Sequence, residues 1–233
     1  MQFDRNRHKI LLIQILKEIY SDVELAASLG FKGGTAMMFF YDLPRFSVDL
    51  DFNLMNADKQ DVVFQKVRTI LLKYGKIDDE AQKFYGPLLV LNYGEGERNL
   101  KVEISNRVFS NRYEIKNFLG INMLVMVAPD MFAHKVCALL DRNMLTNRDI
   151  FDCWFFMQKR TPINTELVEV RMRMPYADYI QKCIDKLEAM SDRGLLQGLG
   201  ELMDADVKTF VKTKLRNETI TLFRFYKDYP IPG

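Results

Sequence analysis

The chain has 233 residues, enough for one large domain or two small ones with a proper core. Apolar residues make up 48% and charged residues 27%, as in soluble globular proteins, and a net charge of +2 neither demands nor excludes a nucleic-acid partner. Two histidines, His8 and His134, exclude a histidine-rich metal centre, which leaves carboxylates as the natural ligands. The cysteines Cys137, Cys153 and Cys183 follow no zinc or redox spacing and read as reduced core thiols of a cytoplasmic protein. No apolar run approaches about 18 residues and the N-terminus MQFDRNRHK lacks an apolar core, so neither membrane span nor signal peptide is expected.

Residues 8–20 place Ile10, Ile13, Leu16, Ile19 and Tyr20 at helical spacing and turn Lys9, Lys17 and Glu18 outward. A short helix from Asp22 to Leu29 is expected to close at Gly30 as its C-cap. The next stretch, FKGGTAMMFFYDLPRFSVDLDF, carries the densest chemistry. Gly33-Gly34 suits a backbone that must approach a phosphate closely, and Thr35 opens a short helix whose free N–H groups attract anions. Residues 35–41 are apolar nearly all round and predict a buried helix, ended by Leu43-Pro44. Arg45 and Ser47 then lead into Asp49-Leu50-Asp51-Phe52. On a strand the two acids share one face, about 7 Å apart at roughly 3.3 Å per residue. Two hard-oxygen ligands so spaced suit Mg²⁺, which takes one or two carboxylates plus substrate phosphate oxygens.

An amphipathic helix with an Asp58 cap and apolar Val62, Val63, Val67, Ile70 and Leu71 is expected over 58–74. Strands are expected at 76–85, 88–93, 99–107, 113–118 and 122–127, with Gly94-Glu95-Gly96-Glu97 turning a hairpin. Glu103 stands on the polar face of the third, either as an ordinary solvent-facing glutamate or as a third carboxylate beside Asp49 and Asp51. Past Ala128-Pro129-Asp130 the pattern turns helical, which divides the chain into an α/β core over 1–128 and a helical region over 129–233. The first of these helices has an apolar stripe of Met131, Phe132, Val136, Leu139 and Leu140, with Lys135 reading on its own as a surface lysine. A polar connection over 142–147 precedes a helix in which Arg148 and Asp152 are spaced for an i,i+4 ion pair and Asp149 is a first-turn acid. Helices are expected near 164–172, 176–190 and 204–227. The last carries Lys208, Lys212, Lys214, Arg216 and Lys227 among Phe210, Phe223, Phe225 and Tyr226, aromatics that read as core in preference to an RNA-stacking surface.

The glycine pair, helical spacer and acid-apolar-acid strand resemble the nucleotidyltransferase signature. Within that superfamily the block Lys32-Gly33-Gly34-Thr35-Ala36 followed by Arg45-Phe46-Ser47-Val48-Asp49-Leu50-Asp51 resembles the AbiEii/AbiGii toxin family. The resemblance implies an α/β (α+β) fold, a mixed β-sheet flanked by helices, with a C-terminal helical bundle region completing a nucleotide cleft. It implies a nucleoside triphosphate bound over Gly33, Gly34 and Thr35, with Mg²⁺, or Mn²⁺ in its place, held by Asp49 and Asp51. LKVEIS is similar to the strand carrying the third acid, so Glu103 becomes a metal ligand or the general base, a glutamate where aspartate is commoner. The helix around Lys135 resembles one whose lysine contacts the triphosphate, and Arg45 is implied as a second charge there. Ser47 orients Arg45 or Asp49, or merely starts the strand. RDIFD resembles the family's RDhyDl box, with either Asp149 or Asp152 positioning the nucleotide or Lys135. The implied activity is a cytoplasmic toxin transferring a nucleotide to an acceptor such as tRNA, opposed by a cognate antitoxin protein and without membrane association. The alternatives are a protein-modifying nucleotidyltransferase or kinase and a catalytically idle nucleotide-binding module.

Overall fold

The computed structural model describes residues 3–141, 145–191 and 193–232, so part of the connection expected over 142–147 lies outside the described residues. The chain forms two compact units: one of Met1–Asp42, Phe46–Val108 and Tyr113–Met126, the other of Leu43–Arg45, Phe109–Arg112 and Val127–Gly233.

The first unit opens with α1 (Arg5–Ser21), whose N-cap Asp4 accepts from the Asn6 and Arg7 amides at 2.9 and 3.0 Å. Its buried stripe is Leu12, Ile15, Leu16 and Ile19, an i, i+3, i+4, i+7 set. Of the expected stripe Leu16 and Ile19 are in place, whereas Ile10 is 57% exposed and Ile13 and Tyr20 are only half-buried. The charged neighbours of Ile10 do not distinguish the two registers, and the observed one buries Leu11 and Leu12 in its place. After α2 (Val23–Ser28) the chain passes directly into strand β1 (Leu29–Lys32). Gly30 is therefore a strand residue and not a C-cap. The Tyr113 ring lies against it, and a Cβ there would come within 2.3 Å of the ring.

Next come α3 (Gly33–Phe40), β2 (Leu50–Leu54), α4 (Gln60–Leu71), β3 (Lys76–Lys83), β4 (Gly86–Asn92), β5 (Leu100–Ser105), β6 (Tyr113–Phe118) and β7 (Ile121–Met126). The seven strands form one mixed sheet in the order β3-β4-β5-β2-β1-β7-β6. The pairs β2/β5 and β1/β7 are parallel and the rest antiparallel, including the expected β4/β5 hairpin. On one sheet face Phe31, Phe52, Leu50, Val102 and Ile104 are fully or nearly fully buried. Only the inner turn of α3 is core: Ala36 and Met37 are buried, whereas Met38, Phe39 and Phe40 are half-buried, with Phe39 stacked on Phe118 at 4.5 Å. Asp58 does not cap α4. Asn56 accepts from the Asp58 amide at 3.0 Å to open a 3₁₀ turn ahead of it, and Val62 is 42% exposed while Phe64 is buried in its stead.

The second unit is helical: α5 (Ala128–Asp141), α6 (Asn147–Gln158), α7 (Thr165–Met172), α8 (Tyr176–Glu188), α9 (Ala205–Thr213) and α10 (Leu215–Asp228). The stripe of α5 is as expected except Leu140, which is half-buried. The single helix expected over 204–227 is two, broken at Lys214, whose backbone leaves the helical region at φ −130° and ψ −29°. Phe223 and Tyr226 are core residues and Phe210 packs on Trp154 at 4.3 Å, leaving Phe225 alone of that set exposed. Among the described residues no helix is long and apolar enough to cross a membrane.

The buried stripe of α1 is open to test by urea denaturation. Leu16→Ala should lower stability by about 2–5 kcal/mol, and Ile10→Ala should stay within about 0.5 kcal/mol of the wild type.

Candidate active site

Gly33 begins α3 at φ +81°, a left-handed conformation that favours glycine. A Cβ placed on it would lie 2.1 Å from Oδ2 of Asp51 and 2.8 Å from the Asp51 Cβ. The glycine turn and the second acid of the motif thus touch, and any larger residue would push the carboxylate away. Register explains the contact. Lys32 pairs with Asp51 across β1/β2, and Asp51 pairs with Glu103 across the parallel β2/β5 ladder. Residues directly opposite share a sheet face, so Asp51 and Glu103 are adjacent acids on neighbouring strands, about 4.8 Å apart in strand spacing.

Asp49 stands one residue ahead of β2, just outside the strand that alternation predicts. It is held in three ways. Its carbonyl accepts the Thr35 hydroxyl at 2.5 Å, and its Oδ1 accepts the Lys101 amide at 3.3 Å. The preceding residue is anchored by His8, whose Nε2 donates to the Val48 carbonyl at 2.8 Å while Nδ1 meets the Tyr93 hydroxyl at 2.7 Å. Burial lowers the His8 pKa, so the ring remains a neutral strut. Thr35 therefore ties the glycine turn to the acidic segment, with its hydroxyl already engaged. Gly34 is buried beside it, and Ser47 is buried two residues before Asp49, three ahead of the strand it was expected to start.

On the same face the Lys32 ammonium donates to Asn53, and Asn53 Nδ2 donates to the Tyr113 hydroxyl at 2.7 Å. Sequence reasoning missed this Lys32–Asn53–Tyr113 chain, although Lys32 lies inside the quoted block and Asn53 continues the period-2 pattern of Asp49 and Asp51. Glu103 is exposed, and its side chain makes no hydrogen bond or ion pair among the described residues. Among those residues no three His, Cys, Asp or Glu side chains gather closely enough to hold a metal ion. Asp49, Asp51 and Glu103 are thus not assembled as a closed three-ligand cage. An all-oxygen set with two adjacent carboxylates fits a hard cation that completes its shell with substrate phosphates and water.

The second unit contains a separate ionic cluster. Arg45 is 5% exposed, and its Nε and Nη2 each donate to one oxygen of the fully buried Asp152 at 2.7 Å. Lys135 reaches Asp152 Oδ2 at 2.7 Å and Asp149 Oδ1 at 3.4 Å. Asp149 also accepts the Thr146 hydroxyl at 2.7 Å, while Thr146 caps α6. Arg45 is therefore engaged with an acid. Asp152 pairs with Arg45 and Lys135, not with Arg148 as its i,i+4 spacing suggested. Both aspartates, not one, hold Lys135. Burial pushes the Asp152 carboxyl up, but Arg45 and Lys135 outweigh it and bring it down to about 2. Burial likewise pulls Lys135 down, and the two aspartates outweigh that, raising it above the ordinary lysine value.

A family model for the nucleotidyl transferase AbiEii toxin of type IV toxin–antitoxin systems matches residues 14–220. The chain belongs to this family. Among solved structures it is similar to a proposed nucleotidyltransferase from H. pylori, at 19% identity and a TM-score of 0.62, covering 96% of this chain and 95% of that one. It is also similar to JHP933 from Helicobacter pylori, at 20% identity and a TM-score of 0.60, covering 96% and 92%. At these identities the likeness is one of fold. No curated protein matches the chain. The AbiEii fold expected from the sequence, a mixed sheet flanked by helices with a helical C-terminal part, is the one observed.

Two predictions concern these AbiEii elements. Gly33→Ala should leave the circular dichroism spectrum intact but displace Asp51, and a crystal structure of the variant should show the carboxylate moved. Asp152 titrates near 2 when folded and near 3.9 unfolded, so its stabilisation is complete above about pH 4 and is lost as pH falls toward 2. Its size is on the order of 2 kcal/mol. Urea midpoints measured from pH 2 to 6 should show this acid loss in the wild type, and Asp152→Asn should flatten it while destabilising the protein at pH 7 by about 3–5 kcal/mol.

Proposed function

We propose that the chain is a metal-dependent toxin that transfers a nucleoside monophosphate from an NTP to tRNA in the cytoplasm and is opposed by a cognate antitoxin. The observation that carries this reading is the contact of Gly33 with Asp51, in register with Glu103: a glycine turn able to admit a phosphate abuts two acids on one sheet face. Family membership supports the nucleotidyltransferase class. Gly33 and Gly34 offer backbone without side-chain obstruction to the triphosphate, and the first turn of α3 supplies N–H donors. Asp49 and Asp51, with Glu103 beside them, would hold Mg²⁺ (or Mn²⁺), which would neutralise charge on the phosphates. The acceptor hydroxyl oxygen bonds to the α-phosphorus, the bond to the β-phosphate oxygen breaks, and pyrophosphate leaves. Glu103, exposed and without a partner, takes the hydroxyl proton. Lys135 is assigned to the triphosphate. Its ammonium is kept charged within the second unit by Asp152 at 2.7 Å and Asp149 at 3.4 Å. Arg45 acts by fixing Asp152, and Ser47, buried two residues before Asp49, belongs to the segment that leads to it.

The test is incubation with each α-labelled NTP, Mg²⁺ or Mn²⁺, total tRNA and candidate proteins. Label should appear on tRNA, disappear in Asp51→Asn, and form about 10²–10⁴-fold more slowly in Glu103→Gln. Label on protein alone would reject the RNA acceptor. Label undiminished in Asp51→Asn would reject the whole reading.

A further inference from the structure

Within the second unit a pocket of about 360 Å³ lies between the segment Phe109–Arg112 and the start of α7. That volume is at the small end for ligand sites. Its apolar wall is Phe109, Leu167 and Val170, and its polar groups are Ser110, Arg112, Asn164 and Glu166. Arg112 is aimed by a built support. Asp130, fully buried, accepts from the Arg112 backbone amide at 2.6 Å, from its Nη2 at 2.9 Å and from the Asn164 side chain at 2.8 Å. Half of the Arg112 side chain remains exposed, and its Nη1 makes no hydrogen bond among the described residues. Phe109 is clamped as well. The Arg171 guanidinium lies 5.4 Å from its ring centroid and the His134 ring meets it edge-on at 5.4 Å. Arg171 is itself fixed by Nδ1 of His134 at 2.7 Å and by Asp141 at 2.6 Å. A guanidinium only donates, so His134 accepts through Nδ1 and donates through Nε2 to Asn111 at 2.7 Å. Glu166 is exposed and makes no hydrogen bond or ion pair among the described residues.

A rigid aromatic face, one free guanidinium edge and an unpartnered carboxylate in a space this small match the three parts of one nucleotide. We infer that this pocket binds a nucleoside monophosphate unit, either free or as the end of a strand. The phosphate binds Arg112, the base packs against Phe109, Leu167 and Val170, and the ribose hydroxyls donate to Glu166. Because Asp130 already balances Arg112 and Glu166 adds a negative charge, the site favours a monophosphate over a triphosphate. The inference does not depend on the transferase reading.

The test is calorimetric titration of the full chain in EDTA with the four ribonucleoside 5′-monophosphates, the triphosphates, inorganic phosphate and a 5′-phosphorylated tetranucleotide. Arg112→Ala would strand the buried Asp130, so the informative variants are Val170→Trp, which fills the pocket from an exposed rim position, and Phe109→Leu. One saturable monophosphate site is expected, unchanged in Asp51→Asn and weakened roughly tenfold or more by either pocket variant. Tighter binding of the tetranucleotide would identify a strand end as the ligand, and equal binding a free nucleotide. Absence of saturable monophosphate binding, preference for triphosphate, or binding insensitive to Val170→Trp would overturn the inference.

Discussion

The first unit depends on one steric fact: nothing larger than hydrogen fits between the α-carbon of Gly33 and the carboxylate of Asp51. A positive φ lets the chain leave β1 and enter α3 within one residue, so the turn passes directly over β2. Lys32 and Asp51 are paired across the ladder on either side of that turn. The parallel β2/β5 pairing then sets Glu103 beside Asp51, and the opposite face of the same strands builds the core through Phe52, Val102 and Ile104. Period-2 alternation makes the two outcomes inseparable: a one-residue slip of β5 would bury Glu103 and expose Val102.

The second unit rests on a different kind of constraint. Asp149 and Asp152, three apart on α6, face Lys135 on α5, and Arg45 closes the set. Two cations and two anions buried together are neutral as a group, which makes their desolvation tolerable, while loss of any one leaves an uncompensated charge. The same logic recurs at Asp130, where a buried carboxylate organises Arg112 and Asn164. Both arrangements use a buried acid to fix the direction of a cation.

Local signals were sufficient wherever the chemistry was contiguous. The glycine turn at Gly33, the strand position of Asp51 and the polar-face position of Glu103 were readable, because glycine turns and alternating strands are set by neighbouring residues, whereas Asp49 falls one residue ahead of its strand. The misreadings share one cause. Gly30 was read as a cap, although it lies in β1, paired with Asn53 and covered by the ring of Tyr113, both far along the chain. Ile10 was placed inside although the helix turns Leu12 and Ile15 to the core and leaves Ile10 exposed. Helical spacing offered Asp152 an ion pair with Arg148, whereas Arg45, over a hundred residues upstream, takes it together with Lys135.

What the amino-acid order determined alone is the list of chemically equipped residues and the periodicity that turns each toward core or water. That follows from backbone geometry, which is local. Which charge meets which, and which glycine has a side chain above it, was decided only when segments distant along the chain came together. Partner choice among several similar carboxylates and cations depends on distances of a few ångströms that no spacing within one helix or strand encodes.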